Sequence, residues 1–273
     1  MSDQETVVRA LLDAIDDKRM LVLATVVRAE PRAGVPVGAK LLVDEDQRVT
    51  GTLGEPALDA RVVRDALAAM QERKSHVVSY KPGDELPQLA GEIGVFLEVV
   101  EPQPELVIVG AGHIAVPLAQ MGKMLGFAVT VLDDREKFAN RERFPDADRV
   151  IAADFGPTLA SLKITRGTYI VIVTRGHQYD EEALQQVIDS PAAYIGMIGS
   201  RRRVRAVADN LAGYGIDRAL FERVRAPIGL EIGAQTPEEI AVSIIAEIIA
   251  VRRGGRGLPM SEVARNRALR VAR

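Results

Sequence analysis

Cysteine and tryptophan are both missing from the 273 residues of this chain, and only 4% of its residues are aromatic. The first absence excludes disulfides, iron–sulfur clusters, thiolate metal sites, a cysteine nucleophile and any sulfur carried on a thiol of this chain. The scarcity of rings argues against stacking platforms for single-stranded nucleic acid. An excess of one charge is missing too. The 35 Lys and Arg against 38 Asp and Glu leave a net charge of −3, without the electrostatic footprint of a nucleic-acid binder.

Long apolar runs are also lacking. Ile240–Val251 is interrupted by Glu247 and is too short to span a bilayer. Met1–Lys18 carries Asp3, Glu5, Asp13, Asp16 and Asp17 and has no apolar core of a secretory signal. The expectation is a cytoplasmic protein with neither a membrane nor a nucleic-acid partner. There is no H-E-x-x-H, nucleophile elbow, Walker lysine or His/Asp spacing suited to a metal, so no catalytic or metal-binding residue is assigned.

What is present is ordinary for a globular chain of two domains, with 47% hydrophobic and 27% charged residues. Apolar residues at Val7, Val8, Leu11, Leu12 and Ile15 give Gln4–Met20 a helical period. Leu21–Val27 reads as a strand, and Glu30–Gly38 is rich in turn residues. Lys40–Val43 and Val49–Leu53 bracket an acidic turn as a hairpin. A helix over Ala57–Gln71 and strands at Ser75–Tyr80 and Ile93–Val100 complete a small α+β domain over residues 1–100.

Glu101-Pro102-Gln103-Pro104-Glu105 reads as a linker, since alternate prolines favour an extended connection. Beyond it, strand and helix alternate. Strands are expected at Leu106–Gly110, Ala128–Asp133, Arg149–Ala152, Tyr169–Thr174 and Ala193–Ile198. Helices are expected at His113–Leu125, near Leu159, at Glu181–Ile188, at Arg201–Leu211 and at Pro237–Arg253. This rhythm predicts an α/β domain over residues 105–254 with a Rossmann-like parallel sheet, followed by a basic tail over 255–273.

The strongest local signal is Gly110-Ala111-Gly112-His113-Ile114-Ala115, a G-x-G-x-x-A turn between a predicted strand and a predicted helix. Gly110 makes the tight turn, and Gly112 lets the backbone approach a pyrophosphate at the helix N-terminus. His113 opens the helix towards the pocket, and Ile114 completes the candidate set on this turn. Asp133, 21 residues beyond Gly112, stands where an acid holds a ribose hydroxyl. Arg135 is placed to reach a phosphate, or else is a solvated loop arginine.

Three more loops are expected at the carboxyl edge of the sheet. Thr174-Arg175-Gly176-His177 offers Thr174 and His177 as ligand contacts, with Asp180 read as the cap of the next helix. Ser200-Arg201-Arg202-Arg203 combines an N-cap with arginines that are unfavourable at a helix start unless an anion lies nearby. Glu231, between Gly229 and Gly233, is placed to accept from a ligand's amine or amide, or to serve a structural turn. His76, alone on a strand, reads as structural.

Several stretches together resemble the XdhC/CoxI family. They are Gly110–Ala115, Val131–Arg135, Tyr194–Arg202, Pro227–Ala234 and Thr236–Val242. In the N-terminal half, Gly51-Thr52-Leu53-Gly54 with Leu58-Asp59-Ala60 is similar to the family's G-T-I-G-G-G-C-L-E-A segment, with Glu55, Pro56 and Ala57 where Gly, Gly and Cys are usual. Gly38-Ala39-Lys40 matches the end of another family loop. The resemblance implies an accessory protein that binds the molybdenum cofactor, as molybdopterin or its dinucleotide. It implies support for sulfuration by a cysteine desulfurase and delivery to an apo molybdenum hydroxylase such as xanthine or carbon monoxide dehydrogenase. A homodimer is expected. The alternative left open by the residues is an NAD(P)-binding oxidoreductase.

Overall fold

A computed structural model describes residues 3–83, 86–87 and 89–263. The chain divides into two compact units, 1–102 and 103–273.

The first unit is built on an antiparallel sheet flanked by two helices. Its elements are α1 (Asp3–Asp16), β1 (Leu21–Ala29), β2 (Lys40–Asp44), β3 (Val49–Thr52), α2 (Pro56–Glu72), β4 (His76–Tyr80) and β5 (Ile93–Val100), with strand order β3-β2-β1-β5-β4. The period-two pattern of β1 divides its side chains between the helices. Val22, Ala24 and Val26 pack with Leu58, Val62 and Ala66 of α2, whereas Leu21 and Leu23 pack with Val7 and Ala14 of α1. The apolar stripe of α1 is thus Val7, Ala10, Leu11 and Ala14. Val8, Leu12 and Ile15, counted in the sequence as part of that stripe, are exposed.

The second unit is doubly wound. Its strands are β6 (Glu105–Val109), β7 (Ala128–Asp133), β8 (Arg149–Ala152), β9 (Thr168–Ile172), β10 (Tyr194–Met197) and β11 (Val224–Arg225). They lie in the order β11-β10-β9-β6-β7-β8, all parallel. The helices are α3 (Ala115–Met124), α4 (Phe155–Ser161), α5 (His177–Val187), α6 (Arg201–Gly213), α7 (Arg218–Phe221) and α8 (Pro237–Arg253). On one face, Leu118 of α3 and Ile244, Ile245 and Ile248 of α8 cover Leu106, Ile108, Val129 and Val131. On the other, Phe155, Leu184, Val187, Val207 and Leu211 cover Val107, Val109, Ile170 and Ile172. Burial on both faces explains why these strands read as continuous apolar runs.

Chain order reverses between β6 and β9, which opens a crevice at their carboxyl ends. Of the tail expected over 255–273, residues 260–263 are helical and 264–273 lie outside the described residues.

Candidate functional site

The site is built around the turn that leaves β6. Gly110 has φ +105°, and a Cβ there would lie 2.6 Å from Val173 O and 2.8 Å from Val173 C. Only glycine permits this approach of the β6 turn to the backbone that follows β9. Three further bonds brace the turn. Gly110 N donates to Leu132 O at 2.7 Å, Ala111 N donates to Asp133 Oδ2 at 2.8 Å, and Arg143 Nη1 donates to Ala111 O at 2.6 Å.

Gly112 differs from Gly110. Apart from its chain neighbours, no atom of the described residues lies within 4 Å of the position its Cβ would take. The helix that follows, α3, carries no side-chain cap. Backbone N–H groups at such a helix start are a ready anion-binding arrangement. His113 is exposed, Ile114 is half-buried and Ala115 is buried beneath them.

Asp133 ends β7 and is 1% exposed. One oxygen accepts from Ala111 N, and both are engaged by Arg135, through Nε at 2.8 Å and Nη2 at 3.0 Å. The Arg135 guanidinium stacks 3.9 Å from the Phe138 ring centroid, and its bond to Asp133 holds its pKa above the ordinary value. The two residues read as ribose and phosphate contacts are therefore bonded to each other.

The neighbouring carboxylate, Asp134, turns to the loop after β9. Both Arg175 terminal nitrogens donate to it, one at 2.7 Å. This hydrogen bond to Arg175 holds the Asp134 pKa below the usual carboxylate range and raises that of Arg175. Arg175 also stacks on Tyr179, 3.8 Å from the ring centroid.

Thr174, buried, donates to Asp180 Oδ1 at 2.5 Å. Asp180 does not cap α5. Gly176 occupies the cap position, and Asp180 sits in the first turn with no exposure, accepting also from Arg203. Burial raises the Asp180 pKa despite these bonds. His177 opens α5 and is exposed.

Ser200 caps α6 by accepting from Arg203 N at 3.3 Å. Arg203 turns inward to Asp180. Arg201 and Arg202 instead line an open groove of about 340 Å³ whose other walls, Arg205, Ala206 and Asp209, also belong to α6. Glu231 is exposed and accepts from Gly233 N at 3.1 Å within its own loop. That loop is fastened to α8, because Glu247 accepts from Gly229 N at 3.0 Å and from Tyr194 OH at 2.5 Å.

Gly110, Gly112, His113, Ile114, Asp133, Arg135 and Thr174 are thus assembled around the β6 end. Ser200, Arg201 and Arg202 belong to the start of α6, and Glu231 is bonded within its own loop. Sequence reasoning did not single out Asp134, Arg143 or Arg175, and it read Arg203 as one of three arginines suited to an anion rather than as the partner of Asp180. For Arg175 and Asp134 the one available signal was that each adjoins a residue already singled out.

In the first unit, the departures from the expected glycine–cysteine segment form an ordinary helix start. Glu55 caps α2 by accepting from Ala57 N at 3.2 Å, and Pro56 follows it in the first turn. Asp59 folds back to accept from Leu53 N at 2.8 Å and Thr52 Oγ1 at 2.5 Å.

Comparison with known proteins places both units. Residues 106–248 match the family model described as the XdhC Rossmann domain, and residues 14–81 match that of the XdhC and CoxI family. A Bacillus subtilis protein described as a probable xanthine dehydrogenase subunit is 34% identical over 168 residues, covering 62% of this chain and 49% of that protein. The molybdenum cofactor insertion chaperone PaoD of Escherichia coli is 24% identical over 286 residues, covering 92% of this chain and 89% of its own length. A crystal structure described as a xanthine dehydrogenase from Bacillus halodurans shares the fold, with a TM-score of 0.52 at 24% identity, covering 93% of this chain and 96% of its own. The chain spans about half the length of the longer curated relatives it matches.

Proposed function

The chain belongs to the XdhC and CoxI family, and we propose that it is an accessory protein that holds the molybdenum cofactor for a molybdenum hydroxylase. The turn between β6 and α3 carries this reading. Gly112 stands in open space at an uncapped helix start, where a phosphate group of molybdopterin or its dinucleotide would meet backbone N–H donors. His113 and Ile114 follow directly on that position, and Thr174 lies beside Gly110.

The residues fit the phosphate end of such a cofactor. Among the described residues no group of three His, Cys, Asp or Glu side chains could hold a metal ion. The metal would therefore be carried by the cofactor's own sulfur ligands. With no cysteine in the chain, sulfur for the cofactor would come from a partner such as a cysteine desulfurase. The role is that of a carrier rather than a catalyst, acting with an apo molybdenum hydroxylase and forming a homodimer.

The competing reading, a nicotinamide-dependent oxidoreductase, asks Asp133 to accept from a ribose hydroxyl. That carboxylate is buried and already bonded to Ala111 and Arg135.

The test is native mass spectrometry of the protein from cells with active molybdopterin biosynthesis. The expected result is a pterin phosphate adduct with molybdenum and pterin fluorescence. Co-purified NADH or NADPH in its place would overturn the proposal.

A further inference from the structure

β7 and β9 lie on either side of β6, so their ends stand two strand spacings apart, about 10 Å. The Asp134–Arg175 pair joins the residue that follows β7 to the loop that follows β9. It must therefore pass over the end of β6, where the glycine turn begins. This is also the switch-point crevice in which doubly wound sheets seat their ligands. The pair is bidentate, and both side chains are reachable, with Arg175 32% and Asp134 21% exposed.

The two partners are anchored unequally. Arg175 is held in its plane by the Tyr179 ring, so its paired N–H fork keeps its direction whichever anion it meets. Asp134 has no such platform, and a second cation near it, Arg135 Nε at 3.8 Å, lies outside hydrogen-bond distance and already donates to Asp133. A carboxylate and a phosphate present the same pair of oxygens to a guanidinium.

We propose that Asp134 and Arg175 form a clasp across the crevice, opened when an organic phosphate displaces the Asp134 carboxylate and takes its place on Arg175. The inference rests on reading the β6–α3 turn as a phosphate site. It adds Arg175 as a ligand contact and Asp134 as the internal anion that competes with the ligand.

Calorimetric titration of the full chain with ADP and with inorganic pyrophosphate, at low salt, tests this. Asp134→Asn is expected to bind both probes about 5-fold more tightly than wild type, and Arg175→Gln about 5-fold more weakly. The double variant is expected to match Arg175→Gln, because the gain from asparagine needs the freed arginine. Both single variants should melt within about 2 °C of wild type, since the pair is partly exposed.

If Asp134→Asn binds no more tightly while Gly112→Val loses binding, the clasp is wrong and the phosphate site stands. If both single variants melt several degrees lower with affinity unchanged, the pair is a structural fastening and the clasp is again overturned. If neither wild type nor Asp134→Asn binds a probe, or Gly112→Val binds as wild type does, the phosphate site and the clasp fall together.

Discussion

Gly110 and Gly112 belong to one motif but answer to different demands. At Gly110 the positive φ and the contact with Val173 make the missing side chain a condition of folding. Gly110→Ala is expected to destabilise the second unit by about 2 kcal/mol or more, seen as a lowered urea midpoint. A shift below about 0.5 kcal/mol, the size of an ordinary surface substitution, would mean the turn relaxes freely. Asp180 is a second residue whose role lies in the fold. Thr174, Asp180 and Arg203 join the loop after β9 to the starts of α5 and α6. Removing the carboxylate in Asp180→Ala leaves the Arg203 guanidinium without its acceptor, whereas the Thr174 hydroxyl keeps Gly176 O at 3.0 Å, and the cost is about 3 kcal/mol. Asp180→Asn, which keeps an acceptor, should cost less in the same denaturation experiment. If the two variants are equally stable, the network is not what holds these loops.

At the scale of elements, α8 combines the clearest sequence signals with the clearest structure. Thr236 and Glu239 form a reciprocal capping box, Pro237 opens the helix, and Gly254 ends it in a left-handed conformation. Thr236→Ala is expected to cost about 1 kcal/mol. The backbone N–H bonds from Gln235 and Thr236 lower the Glu239 pKa. Its contribution is thus present above the unfolded carboxylate value of about 4.3 and is lost as pH falls through the lower folded value. Glu239→Gln should remove that acid-side slope from the stability profile. An unchanged slope would mean that the box is not coupled to folding.

The bounds of α8, β7 and β8 were legible because start signals, stop signals and apolar runs coincided there. The start of α5 was not. The helix begins at His177, four residues before the expected Glu181, because Gly176 at its cap gives no side-chain signal. β11 and α7, of two and four residues, are too short to show a period. The exposed Val8, Leu12 and Ile15 misled for another reason, since two apolar stripes share α1 and only the packing selects one.

At the scale of the whole molecule, the glycine turn was readable because it is local, a strand, a turn and a helix in sequence, and the parallel sheet because strand and helix alternate along the chain. The Asp134–Arg175 pair was not, since its members are 41 residues apart and meet only because β7 and β9 flank β6. The inward turn of Arg203, rather than Arg201 or Arg202, was likewise decided by helix phase against the buried Asp180. The proposed reading that joins these parts is a cofactor carrier whose phosphate grip is backbone, at Gly112, beside two ion pairs, Asp133–Arg135 and Asp134–Arg175. The most direct test compares wild type and Gly112→Val, expressed together with molybdopterin biosynthesis, for bound pterin and molybdenum per chain. Open space at Gly112 lets the variant fold, so an unchanged melting temperature is expected, with occupancy reduced at least about 10-fold at limiting cofactor, or about 1.4 kcal/mol. Equal occupancy in the two proteins would contradict a phosphate seat on this turn.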